Sequence, residues 1–255
     1  MPSDFNFAFL ALIPKGSQEE DSRLIARTPE DTRPLSLSNS DCKILANALK
    51  ATMEDAVGRW AIKAQRRFLK DRKMLENILD VETQAMEMAA RLGQRSALIL
   101  MDFGAAFPSL SHDFLWLVLA QIGVPPKVLR AIKELYRNNR HWIRFGGACV
   151  EVFTITSGVK QGCPLSPLLF VIATDSFLRA LEANISPQSL ARAYADDIAL
   201  VLQNIWREAP AVAKLFVNLE RIAGLWLKPK KCVLIPLWSC DFGKNFHILL
   251  KEELP

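Results

Sequence analysis

Apolar and polar positions change period several times along the chain, and each change predicts an element. NFAFLALIPK, ending at Lys15, reads as a strand that closes in a turn, and the Pro- and Asp-dense stretch EEDSRLIARTPEDTRPLSLSN after it has loop or hairpin character. SDCKILANALKATMEDAVGRW then returns apolar residues at helical spacing, with Ser40 as the expected N-cap. Beyond Ser96 the rhythm becomes short buried strands set between helices. ALILMDF is a continuous apolar run of strand length that reaches Asp102. HDFLWLVLAQIG and PPKVLRAIKELYRN read as helices, the second opening on prolines, which a first helical turn tolerates. RHWIRFGGACVEVFTIT predicts a β-hairpin turning at Gly146 and Gly147. SPLLFVIATDSFLRALEAN and APAVAKLFVNLERIAGL are further helices, YADDIALVL belongs to a second hairpin, and KKCVLIPLW is a last strand. Strands and helices interleave without a βαβα rhythm, which predicts an α+β fold: a split, mostly antiparallel sheet with helices on one face.

Composition narrows the class. Of 255 residues 50% are hydrophobic and 23% charged, enough for a sizeable core and incompatible with a disordered chain. The formal charge of +5 suits a polyanionic partner. Cys42, Cys149, Cys163, Cys232 and Cys240 are odd in number, scattered and free of any C-x-x-C pair, so they read as reduced thiols of an intracellular protein, nuclear or cytoplasmic. The longest apolar run, PLSPLLFVIA, is too short to span a bilayer, and the N-terminus lacks the basic region of a signal peptide, so no membrane association is expected.

One feature of the hydrophobic pattern is chemically expensive. Asp196 and Asp197 interrupt the apolar YADDIALVL, and Asp102 ends a buried strand that a hairpin could pair beside them. Three carboxylates at adjoining strand ends repel one another unless a cation neutralises them, and hard oxygen ligands suit Mg²⁺. A pair of such ions can clamp the attacking and leaving oxygens of a phosphoryl transfer. SGVKQGCPLSPLLF is a glycine- and proline-punctuated loop opening a helix, whose backbone can approach a ligand closely. GRWAIKAQRRFLKDRK sets basic residues, Lys63, Arg66, Arg67 and Arg72 among them, around Trp60 and Phe68, a composition suited either to phosphate tracking or to a charged helix face with its aromatics turned inward.

LMDFGAAF, SGVKQGCPLSPLLF and AYADDIAL together resemble the three central palm motifs of reverse transcriptases, closest to those of non-LTR (LINE-type) retrotransposons. LIPK followed by TRPLSLSNSDCKILANAL is similar to the fingers of those enzymes, and GLWLKPKKC to the palm motif after the aspartate pair, so the matches run from about Leu12 to Cys232. The resemblance implies a polymerase right hand, with residues 1–95 as a fingers-like region and palm entry, 96–238 as palm, and 239–255 as a C-terminal tail with the thumb absent or truncated. It implies RNA-directed DNA synthesis from dNTPs on an RNA or DNA template with primer, using two Mg²⁺ ions, with Mn²⁺ as a substitute.

Carried over by residue, the resemblance makes Asp102 and Asp196 the principal metal-binding carboxylates, Asp197 their acidic neighbour, and the Phe103 carbonyl a further ligand. Phe107 falls at the gate beneath the incoming sugar. Gln161 and Gly162 lie against nucleotide and template, Lys15 and Arg33 hold the triphosphate, and Lys231, or Lys228 or Lys230, gives a proton or a charge to the leaving pyrophosphate. The relatives read Q-x-G-F-x-x-G-R where this chain has Gln65, Phe68 and Arg72 in place but Arg67 and Asp71 in the glycine positions, which implies backbone strain at a point of template contact. A partner chain supplying thumb or endonuclease is a further expectation. The rival reading is a catalytically inactive, transposon-derived nucleic-acid-binding protein. A group II intron-type maturase fits less well, because SLSNSDCKILA is more LINE-like and no maturase domain follows.

Overall fold

The computed structural model describes residues 4–16, 28, 31–91 and 95–238, so the expected C-terminal tail lies outside the described residues. Two four-stranded sheets organise them. The first contains β1 (Ala8–Pro14), β2 (Thr32–Ser38), β4 (Asn139–Phe145) and β5 (Ala148–Ile155) in the order β2-β1-β4-β5, with antiparallel ribbons joined by a short parallel contact of β1 with β4. The second contains β3 (Ala97–Asp102), β6 (Leu190–Tyr194), β7 (Asp197–Leu202) and β8 (Val233–Pro236) in the order β6-β7-β3-β8, antiparallel throughout. The first sheet therefore draws β4 and β5 from beyond residue 95. A boundary there does not separate the two sheets.

The helices are α1 (Ser40–Trp60), α2 (Met74–Ala89), the single turn α3 (Ala106–Ser109), α4 (His112–Gln121), α5 (Pro126–Tyr136), α6 (Ser166–Asn184) and α7 (Ile205–Ala223). Asn39, not Ser40, caps α1: its side chain accepts from Cys42 N at 3.0 Å, and Ser40 is already helical. Asn204 starts α7 a turn earlier than the pattern predicts, with Pro210 accommodated inside the helix. α2 is the element that the pattern did not announce. Lys73 offers it no side-chain cap, and of its residues only Asn77 and Met88 are buried, so it lacks both a start signal and a fully covered apolar face.

α6 is the centre of the core. Leu168 to Ala173 are all buried, because α6 packs against α1, α4 and α7 and the inner face of the second sheet. Each of its large apolar side chains contributes roughly 1.5–3 kcal/mol by burial. Alternation along the strands sends Met101, Ile198 and Leu200 to that inner face, while Leu98, Leu100, Asp102, Asp197 and Ala199 share the opposite one. α2 lies over the β6–β7 side of this second face.

Candidate active site

The register of β3 against β7 decides the site. Asp102 and Asp197 are direct cross-strand partners, and the β6–β7 hairpin pairs Tyr194 with Asp197, leaving Ala195 and Asp196 as a two-residue turn. Three carboxylates thus meet at one end of the second sheet, two in strands and one in the turn. Like charges directly opposite destabilise a sheet. Lys231, in a single 3₁₀ turn at Pro229–Lys231, answers them: its Nζ lies 2.6 Å from Asp102 Oδ2. The bond to Asp102 raises the Lys231 ammonium above its ordinary value, with smaller contributions from Asp197 and Asp196. Burial pushes the Asp197 carboxyl up, and the Asp196 and Asp102 charges add to it, against opposing fields from Lys231 and Arg67.

The rest of the site is held by backbone. Lys228 N donates to the Asp102 carbonyl and Gly104 N to that of Trp226, both at 2.9 Å, so the Phe103–Leu227 bridge fastens the end of β3 to the segment that carries Lys231. Phe107 stacks on the buried Phe170 with ring centroids 4.8 Å apart and meets Phe68 edge-on at 6.0 Å. Its carbonyl accepts from Val159 N at 2.7 Å, which docks the glycine-rich loop beside it. Gly158 has φ +82, and a Cβ there would fall 2.6 Å from Pro108 Cα and nearer still to its carbonyl. Gly162, at φ +103, would put a Cβ 2.9 Å from the Ser36 carbonyl, while the Gln161 carbonyl accepts from Ser36 N at 2.8 Å. The loop is thereby pressed onto β2. Arg33 shares its strand face with Leu35, the side-chain neighbour of Gly162, and Lys15 lies just past the paired end of the β1–β2 ribbon. A cavity of about 260 Å³ opens between Pro34, Ser36, Phe153 and Gln161.

The basic segment divides. Arg67 is exposed, its guanidinium lies over the Tyr194 ring at 4.7 Å, and its charge reaches Asp197; Lys63 is exposed as well. Arg66 and Arg72, expected among the nucleic-acid contacts, are turned inward. Arg66 pairs with Asp80 at 2.7 Å, in a cluster that Arg192 completes with a second 2.7 Å contact. Burial pushes the Asp80 carboxyl up, but those two guanidiniums together bring it below its ordinary value. Arg72 donates to four carbonyls, those of Gly58, Ala61, Ile62 and Gln65, at 2.6–2.8 Å, which closes the C-terminal end of α1. The expected strain is present at Asp71, with φ 62, but the second positive φ belongs to Phe68 rather than Arg67.

Reading the residues alone missed two supports. Lys160 is only 2% exposed, and it donates to the Leu135 carbonyl at 3.0 Å near the C-terminal end of α5. Trp226 covers Gly104 so closely that a Cβ would overlap its ring. Neither leaves a local signature, since both depend on segments far away in sequence.

The donor set is entirely oxygen. Among the described residues no group of three or more His, Cys, Asp and Glu side chains closes around a metal position. Two or three carboxylates open to solvent, with surplus negative charge that Lys231 only partly offsets, fit a hard divalent ion whose remaining ligands come from a phosphate-bearing substrate. Among the described residues no helix is long and apolar enough to cross a membrane.

Residues 13–242 match the model of the family described as reverse transcriptase (RNA-dependent DNA polymerase). The chain is 29% identical over 241 residues to the Pol polyprotein of the type-2 retrotransposable element R2DM of Drosophila melanogaster, covering 92% of this chain and 22% of that one. It is 34% identical over 177 residues to the R2 polyprotein of Bradysia coprophila, covering 68% of this chain and 20% of that one. It is also 27% identical to an uncharacterised 149 kDa protein of the Xenopus laevis transposon TX1, covering 80% of this chain and 16% of the relative. The chain therefore spans about a fifth of the length of these curated relatives. Among solved structures, apo telomerase of Candida tropicalis superimposes with a TM-score of 0.65 at 13% identity, covering 95% of this chain and 52% of that one.

Proposed function

Because the chain belongs to the reverse transcriptase (RNA-dependent DNA polymerase) family, we propose that it extends a primer 3′-hydroxyl with dNTPs on a nucleic-acid template. The observation that carries this reading is the β3–β7 register, which sets Asp102 opposite Asp197 with Asp196 in the adjoining turn. Reverse transcriptases use divalent metal ions. Here Asp102 and Asp196, with the Phe103 carbonyl, would hold two Mg²⁺ ions, or Mn²⁺ in their place. When bound, such ions acidify the attacking hydroxyl and stabilise charge on the leaving oxygens.

The chain's own residues do the rest. Arg33, on the β1–β2 ribbon, and Lys15, just past its paired end, take the triphosphate, Arg33 through its planar fork. Phe107, backed by Phe170, forms a rigid floor under the sugar and excludes a 2′-hydroxyl by contact. Gln161 and Gly162 shape the side of the nucleotide pocket that faces the template. Arg67 and Lys63 supply phosphate contacts next to the hairpin. Lys231 exchanges its bond to Asp102 for the charge of the pyrophosphate as that group leaves.

The test is primer extension on an RNA template with dNTPs and Mg²⁺, comparing the folded wild type with Asp102→Asn and Asp196→Asn. Extension that disappears in both variants supports the assignment. A folded wild type that binds primer–template and does not extend it refutes it in favour of a nucleic-acid-binding protein.

A further inference from the structure

Beside the carboxylates, Gln65, a polar side chain with 0% exposure, bonds directly to the hairpin turn. The segment around it extends the second sheet beyond β6: Gln65 forms a parallel bridge with Ala193, Ala193 N donates to the Ala64 carbonyl at 2.8 Å, and Arg66 N donates to the Ala193 carbonyl at 3.1 Å. Asn77 Nδ2 adds a second bond to that carbonyl at 2.9 Å. These contacts stop at Ala193. From there the Gln65 side chain takes over: its Oε1 accepts from Ala195 N at 3.1 Å and from Arg67 N at 3.0 Å, and its Nε2 donates to the Ala195 carbonyl at 3.4 Å.

We propose that Gln65 is the positioning residue of the site, an amide clamp that fixes the Ala195–Asp196 turn and so aims the Asp196 carboxylate; this rests on the polymerase reading above. Ala195 needs such a clamp because its φ is +64, a conformation that a residue with a Cβ keeps only where its surroundings over-determine it. The chemistry also selects the amide. One acceptor must serve two backbone N–H groups while a donor serves a carbonyl, and the group must be neutral beside three carboxylates. A carboxylate in its place lacks the donor and adds charge, and an apolar side chain leaves buried backbone groups unpaired.

The experiment compares wild type, the near-isosteric Gln65→Met, and Gln65→Met combined with Ala195→Gly. Glycine adopts positive φ without a clamp, so it restores the turn by another route. Two quantities are read on protein shown to be folded by its melting curve: Mn²⁺ affinity by electron paramagnetic resonance, and kcat with KM for primer extension. The expected result is Mn²⁺ binding weakened at least fivefold and kcat lowered at least tenfold in Gln65→Met, primer–template KM within twofold of wild type, and at least half of each loss, on a logarithmic scale, recovered in the double variant. If Gln65→Met does not fold, Gln65→Asn, whose amide is one methylene too short, carries the same expectation. Folded variants with Mn²⁺ affinity within twofold of wild type, or a loss that Ala195→Gly leaves unchanged, overturn the clamp. A wild type that binds Mn²⁺ without extending primer defeats the functional reading alone, and the Mn²⁺ measurement still decides the clamp. A wild type that binds no Mn²⁺ overturns both.

Discussion

Gly158 and Gly147 form a matched pair that isolates the close approach of the glycine-rich loop to the α3 turn. Their φ angles are +82 and +85, so alanine meets the same backbone penalty at each, about 1 kcal/mol. Their surroundings differ completely. Nothing lies within 4 Å of a Cβ on Gly147, whereas one on Gly158 would fall 2.6 Å from Pro108 Cα and closer to its carbonyl. Those neighbours are backbone and cannot rotate away, and the loop is further tied by Gly158 N to the Leu110 carbonyl at 2.6 Å and by His112 Nε2 to the Gly158 carbonyl at 2.7 Å. Overpacking of this kind adds about 1–3 kcal/mol. Gly147→Ala should therefore cost about 1 kcal/mol and Gly158→Ala about 2–4 kcal/mol, read as a shift of urea midpoint at unchanged m. In a protein of this size the larger loss lowers the melting temperature by roughly 5–15 °C. Moving the loop also moves Gln161, so KM for dNTP should rise in Gly158→Ala and stay unchanged in Gly147→Ala. Equal destabilisation of the two variants, within about 0.5 kcal/mol, would refute the close approach.

Two further outcomes follow from charges that the fold has placed. Arg72→Met removes four bonds from a charged donor to carbonyls and should destabilise by about 2–5 kcal/mol, yet leave the salt dependence of primer–template binding unchanged; a slope shallower by about one unit would show that Arg72 contacts phosphate after all. Asp197→Asn should raise the melting temperature at pH 7 in metal-free buffer. The folded Asp197 carboxyl titrates above its unfolded value, so its ionisation works against folding once pH exceeds the unfolded pKa of about 3.9. The gain should fade below about pH 4, and a gain that persists undiminished at pH 3 would contradict the sign.

Local pattern carried the elements whose periodicity and punctuation agree. The strand ending at Asp102 and α6 were legible from their apolar runs, and the hairpin turning at Gly146 and Gly147 from its glycine pair between strand-forming stretches, although its second strand is exposed along most of its length. α2 was not, because it lacks a side-chain cap and leaves Leu75, Ile78 and Leu79 exposed. Arg66 and Arg72, expected among the nucleic-acid contacts, are the complementary case. A basic run has the same composition whether its guanidiniums face phosphate or, as here, carboxylates and carbonyls.

The sequence by itself placed Asp102, Asp196 and Asp197 in apolar runs from which a core would otherwise exclude them, and only its resemblance to reverse transcriptase motifs grouped them with the glycine-rich loop and the basic segment. Tertiary structure alone decided how they meet. The antiparallel register sets Asp102 against Asp197, the 3₁₀ turn brings Lys231 onto Asp102, and Gln65 reaches across from another segment to hold Ala195. Register, cross-segment ion pairing and buried hydrogen bonding link residues far apart in the chain, and each depends on the packing of both partners, which no local pattern contains.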